Sequence, residues 1–449
     1  MRTFAEDADS LKWLFLDLNS YFASVEQQLT PSLRNRPIAV APVMSDSTCA
    51  IAASYEAKAF GIKTGTPIWE AKEKCPDLVV VPARHDIYVR FHHRIVAAVN
   101  GVIPVARVES VDEMGCRLPD HLRKRGVALD LGRRVKAAIL DSVGPCLRCS
   151  VGVAPNRFLA KVATELRKPD GLTAIGLGEL PGPLLKLVPR DLPGIGANME
   201  RRLLRAGIVD LAGLWNLSPR DARRIWHGVA GDGFWHMLHG FDLPARETQR
   251  RTIGHSRVLD PDLRMTDRAR LVARRLAVKA ATRLRRMDHV AGSLAMSARD
   301  EAGQRYGGDF RLGPTQDNDA ILAALDALWK RHVELAPFGF RGPRRLKKVS
   351  VVLYDLAPLA DTTLDLFAQR RDAAAAPLGK VVDLVHAPKL GDTRRTLLSA
   401  SLDTLNKRYG RDTVSVGVMS DKPGEGKRLD YLGAKVAFTR IPDIAEFAE

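Results

Sequence analysis

Trp13-Leu-Phe-Leu-Asp17-Leu-Asn-Ser-Tyr-Phe22 and, much later in the chain, Ser110-Val-Asp-Glu113 decide how this sequence reads. In the first stretch an apolar run predicts a buried strand ending on an acid, Asp17, and Ser20 to Gln27 predicts the start of a helix. In the second, Val105–Val111 predicts a strand that delivers Asp112, with Glu113 beside it. An acid closing one apolar strand, joined in space by an acidic pair at the end of another, makes an oxygen-only site. Such donors suit hard divalent cations, Mg²⁺ or Mn²⁺, rather than zinc. Two such ions can clamp a phosphoryl transfer from both sides.

Outward from these acids, strands and helices interleave. Pro37–Pro42 and Leu78–Val81 read as short buried strands, and Ala52–Phe60 as a helix ended by Gly61. A helix follows through Tyr88 and Arg94, and Cys149–Ala154 is a strand running into a helix over Asn156–Arg167. This alternation predicts an α+β catalytic core of about 180 residues. Leu192-Pro-Gly-Ile-Gly196 is a tight glycine hairpin between apolar helical patterns. After Arg246 a basic segment holds a helix over 266–287 and strands at Gly292–Ala298 and Val349–Tyr354. Beyond 357 the chain turns Ala/Pro/Asp-rich, then offers a helix-like Leu397–Tyr409 and a strand-like Thr413–Val418.

A chain of 449 residues exceeds one ordinary core, so roughly three to four units are expected. The formal charge of +17 points to a polyanionic partner, nucleic acid first. The excess is concentrated: residues 251–350 hold 21 Lys/Arg against 11 Asp/Glu. No apolar run approaches the roughly 20 residues that span a bilayer. Glu6, Asp7 and Asp9 break the order of a signal peptide, so a cytoplasmic, nucleoid-associated protein is expected. Cys146-x-x-Cys149 has no second pair to complete a zinc site, and Cys149 is expected to pack at its strand start. No histidine forms a nucleophile–base set.

Three motifs in order carry a family resemblance: Asp17-Leu-Asn-Ser-Tyr-Phe22, Ser110-Val-Asp-Glu113, and Ser150-Val-Gly-Val-Ala-Pro-Asn156 continuing to Ala160-Lys161 and Lys168-Pro169. With Ser54-Tyr-Glu-Ala-Lys58 between them, residues 12–357 resemble a Y-family translesion DNA polymerase, in the bacterial branch of polymerase IV and the polymerase V catalytic subunit. The resemblance implies a right-hand fold. Its palm would span 1–25 and 84–180, small fingers 26–83, and a helical thumb with a helix-hairpin-helix 181–247. A little finger would span 251–357, and a linker and tail 358–449.

It further implies that Asp17 and Asp112 bridge two Mg²⁺ ions, with the Leu18 carbonyl as a ligand and Glu113 nearest the primer 3′-hydroxyl. Tyr55, Lys58 and Lys161 match positions that bind the triphosphate, and Phe22 the steric gate against a ribose 2′-hydroxyl. Tyr21 and Phe22 are adjacent and point to different helix faces, so one is expected in the core and the other at the gate. Gly194 and Gly196 would present backbone N–H groups to a DNA phosphate, and Lys347 and Lys348 would touch the backbone beside a strand. The arginines of helix 266–287 read as a solvated face. Thr363-Leu-Asp-Leu-Phe367 resembles a sliding-clamp pentapeptide with Leu364, Leu366 and Phe367 as anchors, its usual leading Gln replaced by Thr. Leu402–Tyr409 with Gly410-Arg411 resembles the polymerase V tail, where accessory SOS proteins would act.

The expected partners are therefore primer–template DNA, dNTPs and the clamp, for a monomeric enzyme without proofreading. Glu109, where Tyr is common, adds a fourth acid near the site, and Gly115 removes a side chain beside the catalytic strand. The alternative reading is a catalytically weak paralogue that binds DNA and clamp as an adaptor. Retention of Asp17, Asp112 and Glu113 argues against it.

Overall fold

A computed structural model describes residues 11–244, 251–335, 345–362, 393–409 and 413–414. The clamp-like stretch with Leu364, Leu366 and Phe367, and most of Thr413–Val418, lie outside these residues. The chain divides near Arg246/Glu247 into two compact units.

In the first unit β1 (Trp13–Leu18) sends Leu14, Leu16 and Leu18 into one apolar core and Phe15 into another. It is buried on both faces, which is why it reads as a continuous apolar run rather than an alternation. Asn19 and Ser20 reverse the chain, Ser20 in the left-handed region at φ 48°, into α1 (Tyr21–Leu29). A small sheet follows, with order β3-β2-β4: β2 (Ile38–Ala41), β3 (Ala52–Ala53) and β4 (Val79–Pro82). It carries α2 (Tyr55–Lys58) and α3 (Ile68–Lys74). The helix expected over Ala52–Phe60 is therefore shorter. Ala52 and Ala53 pair with β2, and the Ser54 hydroxyl accepts the Ala57 N–H as the N-cap that starts α2.

The chain returns through α4 (His85–Asn100) to β5 (Arg107–Val108), β6 (Glu113–Arg117), α5 (Arg125–Val143), β7 (Cys149–Ala154), α6 (Arg157–Glu165) and β8 (Leu172–Ala174). The main sheet has order β5-β6-β1-β7-β8, antiparallel on both sides of β1. α4 and α5 pack on one face and α6 on the other. The strand expected over Val105–Val111 is not formed as such. Glu109 and Ser110 both donate their N–H to the Glu113 carbonyl, closing a turn that holds Asp112, and Glu113 opens β6. Cys149 is buried at the start of β7, as expected.

From 181 to 244 the unit is helical, with α7 (Ala197–Arg205), α8 (Leu211–Trp215), α9 (Pro219–Trp226) and α10 (Val229–Leu238). The element before the glycine hairpin is one 3-10 turn, Pro189–Asp191, not a full helix.

The second unit has a four-stranded antiparallel sheet of order β11-β10-β12-β9. Its elements are β9 (Thr252–Val258), α11 (Thr266–Arg285), β10 (His289–Asp300), β11 (Arg305–Thr315), α12 (Asn318–Trp329) and β12 (Leu346–Pro358). Leu294, Met296, Val349, Val351 and Leu353 meet α11 and α12 in one core. A last helix, α13 (Thr393–Tyr409), docks on α11 and α12 by polar groups. Asp403 accepts from Thr282 Oγ1 at 2.8 Å and from the nearly buried Arg285 at 2.7 and 2.9 Å. Ser399, 3% exposed, donates to Asp317 Oδ1 at 3.3 Å.

Candidate active site

Strand register brings the three acids together. Asp17 on β1 sits directly across from Glu113 on β6 and from Ser150 on β7. The N–H of Leu18 donates to the Asp112 carbonyl at 2.9 Å, which fastens the turn carrying Asp112 to the end of β1. Ser110 Oγ donates to Asp112 Oδ1. His92, buried on α4, donates its Nδ1–H to the Val111 carbonyl at 2.8 Å and holds the same turn from behind. Leu18, the expected backbone ligand, lies between Asp17 and this contact.

The cations come from α6 and the loop after it. Lys161 Nζ donates to Glu113 Oε2 at 2.6 Å. Lys168 Nζ donates to Asp17 Oδ2 at 2.9 Å and to Glu165 Oε1 at 2.6 Å. Burial raises the Asp17 carboxyl to about 6 against the pull of Lys168, with Glu165 and Asp112 adding to the rise. The same charges act on α2. Burial raises the Tyr55 hydroxyl, with Lys168 opposing and Asp17 and Glu165 adding. Burial, then the Lys168 charge, lowers the Lys58 ammonium, which stands 4.4 Å from the Tyr55 ring centroid. Lys168 thus joins Tyr55, Lys58 and Asp17 in one electrostatic group.

No role for Lys168 follows from reading residues one by one. The signal lay in the Lys168-Pro169 that ends the third motif and in Asn19. The Asn19 amide donates to Ser150 Oγ at 3.0 Å and accepts the Asp170 N–H at 2.8 Å, fixing the loop that bears Lys168. A carboxylate at position 19 could accept but not donate.

Tyr21 and Phe22 separate as expected of neighbours on a helix. Tyr21 is 3% exposed, its hydroxyl donating to the Tyr88 carbonyl at 2.6 Å, whereas Phe22 is half-buried and stacks on the Tyr88 ring. Glu109, the expected fourth acid, pairs with Arg157, and Arg107 Nε lies 3.1 Å from it. At Gly115 an added Cβ would stand 3.5–3.6 Å from the Trp13 and Phe15 rings, which already fill that side of the sheet.

The donor chemistry fits divalent cations: a buried carboxylate, two neighbouring acids and a backbone carbonyl, all oxygen. Among the described residues, no three His, Cys, Asp or Glu side chains close around a single point. In this structure lysines hold two of the three carboxylates, Lys168 on Asp17 and Lys161 on Glu113.

Elsewhere in this unit Leu192 and Ile195 anchor the glycine hairpin in the core. Gly194 needs its glycine for φ +88°, while at Gly196 the space around a Cβ is open, so backbone could be approached there. In the second unit the expected lysine pair sits at a β-bulge, between buried Leu346 and Val349. Lys348 is exposed on the open face of the sheet, in a row with Arg299 and Arg305. Lys347 is half-buried beside it. The next open-face row, Gly307, Ser297, Ser350 and Ser256, carries only small side chains.

Known proteins resemble this chain along most of its length. The impB/mucB/samB family model matches residues 16–165, and the C-terminal domain model of the same family matches residues 250–366. DNA polymerase IV of Moorella thermoacetica is 33% identical over 408 residues, 89% of this chain and 94% of that protein. Among solved structures, a Y-family DNA polymerase chimera of Dbh and Dpo4 superposes with a TM-score of 0.63 at 26% identity, over 77% of this chain and 98% of its own. An insertion ternary complex of Dbh DNA polymerase gives 0.51 at 25% identity, over 76% and 98%. Both halves of the family pattern and a relative matched almost end to end place this chain in the impB/mucB/samB family, the Y-family DNA polymerases.

Proposed function

We propose that this chain carries out template-directed, low-fidelity translesion DNA synthesis, adding a nucleotide from a dNTP to a primer 3′-hydroxyl. The primer 3′-oxygen bonds to the α-phosphorus, the bond from that phosphorus to the bridging oxygen breaks, pyrophosphate leaves, and the hydroxyl proton passes to solvent. The observation that carries this reading is the register that sets Asp17 against Glu113, with Asp112 fastened to Leu18 between them. Asp17, Leu18, Asp112 and Glu113 would hold two Mg²⁺ ions, replaceable by Mn²⁺. Bound there, they would acidify the hydroxyl and neutralise phosphate charge.

The chain's own groups do the rest. Tyr55, Lys58 and Lys168 would receive the β- and γ-phosphates, and Lys161, now on Glu113, would turn toward phosphate once that carboxylate is engaged. Phe22 would exclude the ribose hydroxyl. The 192–196 hairpin and the Arg299, Arg305 and Lys348 row would hold primer–template DNA by its phosphates, independent of sequence. Leu364, Leu366 and Phe367 would take a sliding clamp, and L366A/F367A should abolish its capture by immobilised protein. A nucleoid location suits this role; no described helix is long and apolar enough to cross a membrane. Primer extension with Mg²⁺ is the decisive assay. DNA binding without nucleotide addition at high enzyme would leave only the adaptor reading.

A further inference from the structure

Phe22 and Glu26 lie one turn apart on α1, and Arg84 and Tyr88 one turn apart at the start of α4. The two helices meet through them as a ladder of two rungs. In one rung the Phe22 and Tyr88 rings stack with 4.3 Å between centroids and 14° between planes. In the other, Arg84 donates from two nitrogens to the two oxygens of Glu26. The Tyr88 hydroxyl joins the rungs by donating to Glu26 Oε1 at 2.7 Å. Tyr88 is fully buried and Glu26 is 3% exposed. The Tyr88 backbone carbonyl is held as well, by the Tyr21 hydroxyl at 2.6 Å. The ring behind Phe22 is therefore fixed at its hydroxyl and at its main chain.

A gate excludes an extra hydroxyl only as far as its ring cannot recede. We propose that Tyr88, tethered by Glu26 and Arg84, is a positioning residue for sugar discrimination: it braces Phe22 so that the ring holds its place when a ribonucleotide presses on it. This rests on Phe22 being the gate. A dNTP does not press on the ring, so the brace matters for ribonucleotides and hardly for deoxyribonucleotides. The ladder also ties residue 26 to residue 84, the two ends of the segment that carries Tyr55 and Lys58.

The test is single-nucleotide insertion of dNTP and rNTP by wild type, F22A, Y88F, E26Q and the F22A/Y88F double variant, each with thermal unfolding recorded. Y88F removes only the tether, and Arg84 still pairs with Glu26, so it should fold. F22A should lower the dNTP:rNTP ratio of kcat/KM about 10²-fold. Y88F and E26Q should lower it about three- to tenfold through a sub-ångström shift of the ring, with dNTP kcat/KM nearly unchanged. The double variant should match F22A, because a brace has no effect without its gate.

Wild-type discrimination in Y88F and E26Q, alongside a collapse in F22A, would overturn the brace and leave the gate standing. Equal losses for both sugars in Y88F, or losses that add to those of F22A, would also overturn it. Unchanged discrimination in F22A would remove the gate itself.

Discussion

The catalytic sheet, antiparallel around β1, and the fully antiparallel sheet of the second unit handle charge in opposite ways. Around β1 the carboxylates are sunk at the strand ends and each meets a lysine, Asp17 with Lys168, which also holds Glu165, and Glu113 with Lys161. On the open face of β10–β12 the cations stand exposed in a row beside a row of small side chains. Chemistry at a phosphorus atom needs charges placed within fractions of an ångström, so it justifies the desolvation that raises Asp17. Holding a duplex by its phosphates needs many weak, interchangeable contacts that water can screen. One region should therefore fail all at once when a single group is lost, and the other should fade by degrees.

The sharpest break is D112A, which should reduce primer extension by about 10³-fold or more while DNA affinity stays within about twofold, as gel shift and extension rates would show. Next, K168A should cut kcat/KM for dNTP about 10²-fold by removing one charge from the triphosphate site. If K168A behaves as wild type, the electrostatic grouping with Tyr55 and Lys58 has no catalytic meaning.

The third test concerns stability. The folded Asp17 carboxyl binds its proton more tightly than the unfolded one, at about 6 against 3.8. Wild type should therefore lose stability, relative to a neutral side chain, as pH rises from about 4 through about 6. D17N, though inactive, should be more stable than wild type by about 1–3 kcal/mol at pH 7.5 without divalent ions. The gap should close near pH 4 in chemical unfolding. A D17N protein less stable at pH 7.5 would show that the Lys168 pair outweighs the burial.

On the other sheet, K348A with R305A should weaken DNA binding only about tenfold at moderate salt. It should lower the slope of log affinity against log salt by about one per charge, leaving kcat unaltered. Smallest of all, E109Q should change extension less than about threefold, because Glu109 is spent on Arg157 and Arg107 at a partly exposed position.

The sequence shows the catalytic strands well, because β1 and β7 are apolar runs ending at polar groups. It shows the Asp112 turn poorly: that geometry depends on two N–H groups sharing the Glu113 carbonyl, which residue types do not encode. Ala52 and Ala53 read as helix because alanines fit either state and only pairing with β2 decides. Neither β11 nor α5 was anticipated. β11, with its glycines and alternating charges, looks like a loop until β10 pairs with it. Lys168 escaped for a related reason. Its role comes from Asn19 holding Asp170 across a separation of 151 positions, a tertiary fact.

The docking of α13 bears on how this protein could be captured by others. Because Arg285 and Asp317 hold Asp403 and Ser399, the chain after Thr362 is anchored again at α13, on the same unit. The chain is thus held on the same unit by β12 before Leu364, Leu366 and Phe367 and by α13 after them. A partner that gripped the chain between these two points would be joined to this unit from both sides. Deleting everything after Thr362 would do more than remove a docking motif. It would strip Arg285 and Thr282 of the Asp403 carboxylate and Asp317 of the Ser399 hydroxyl.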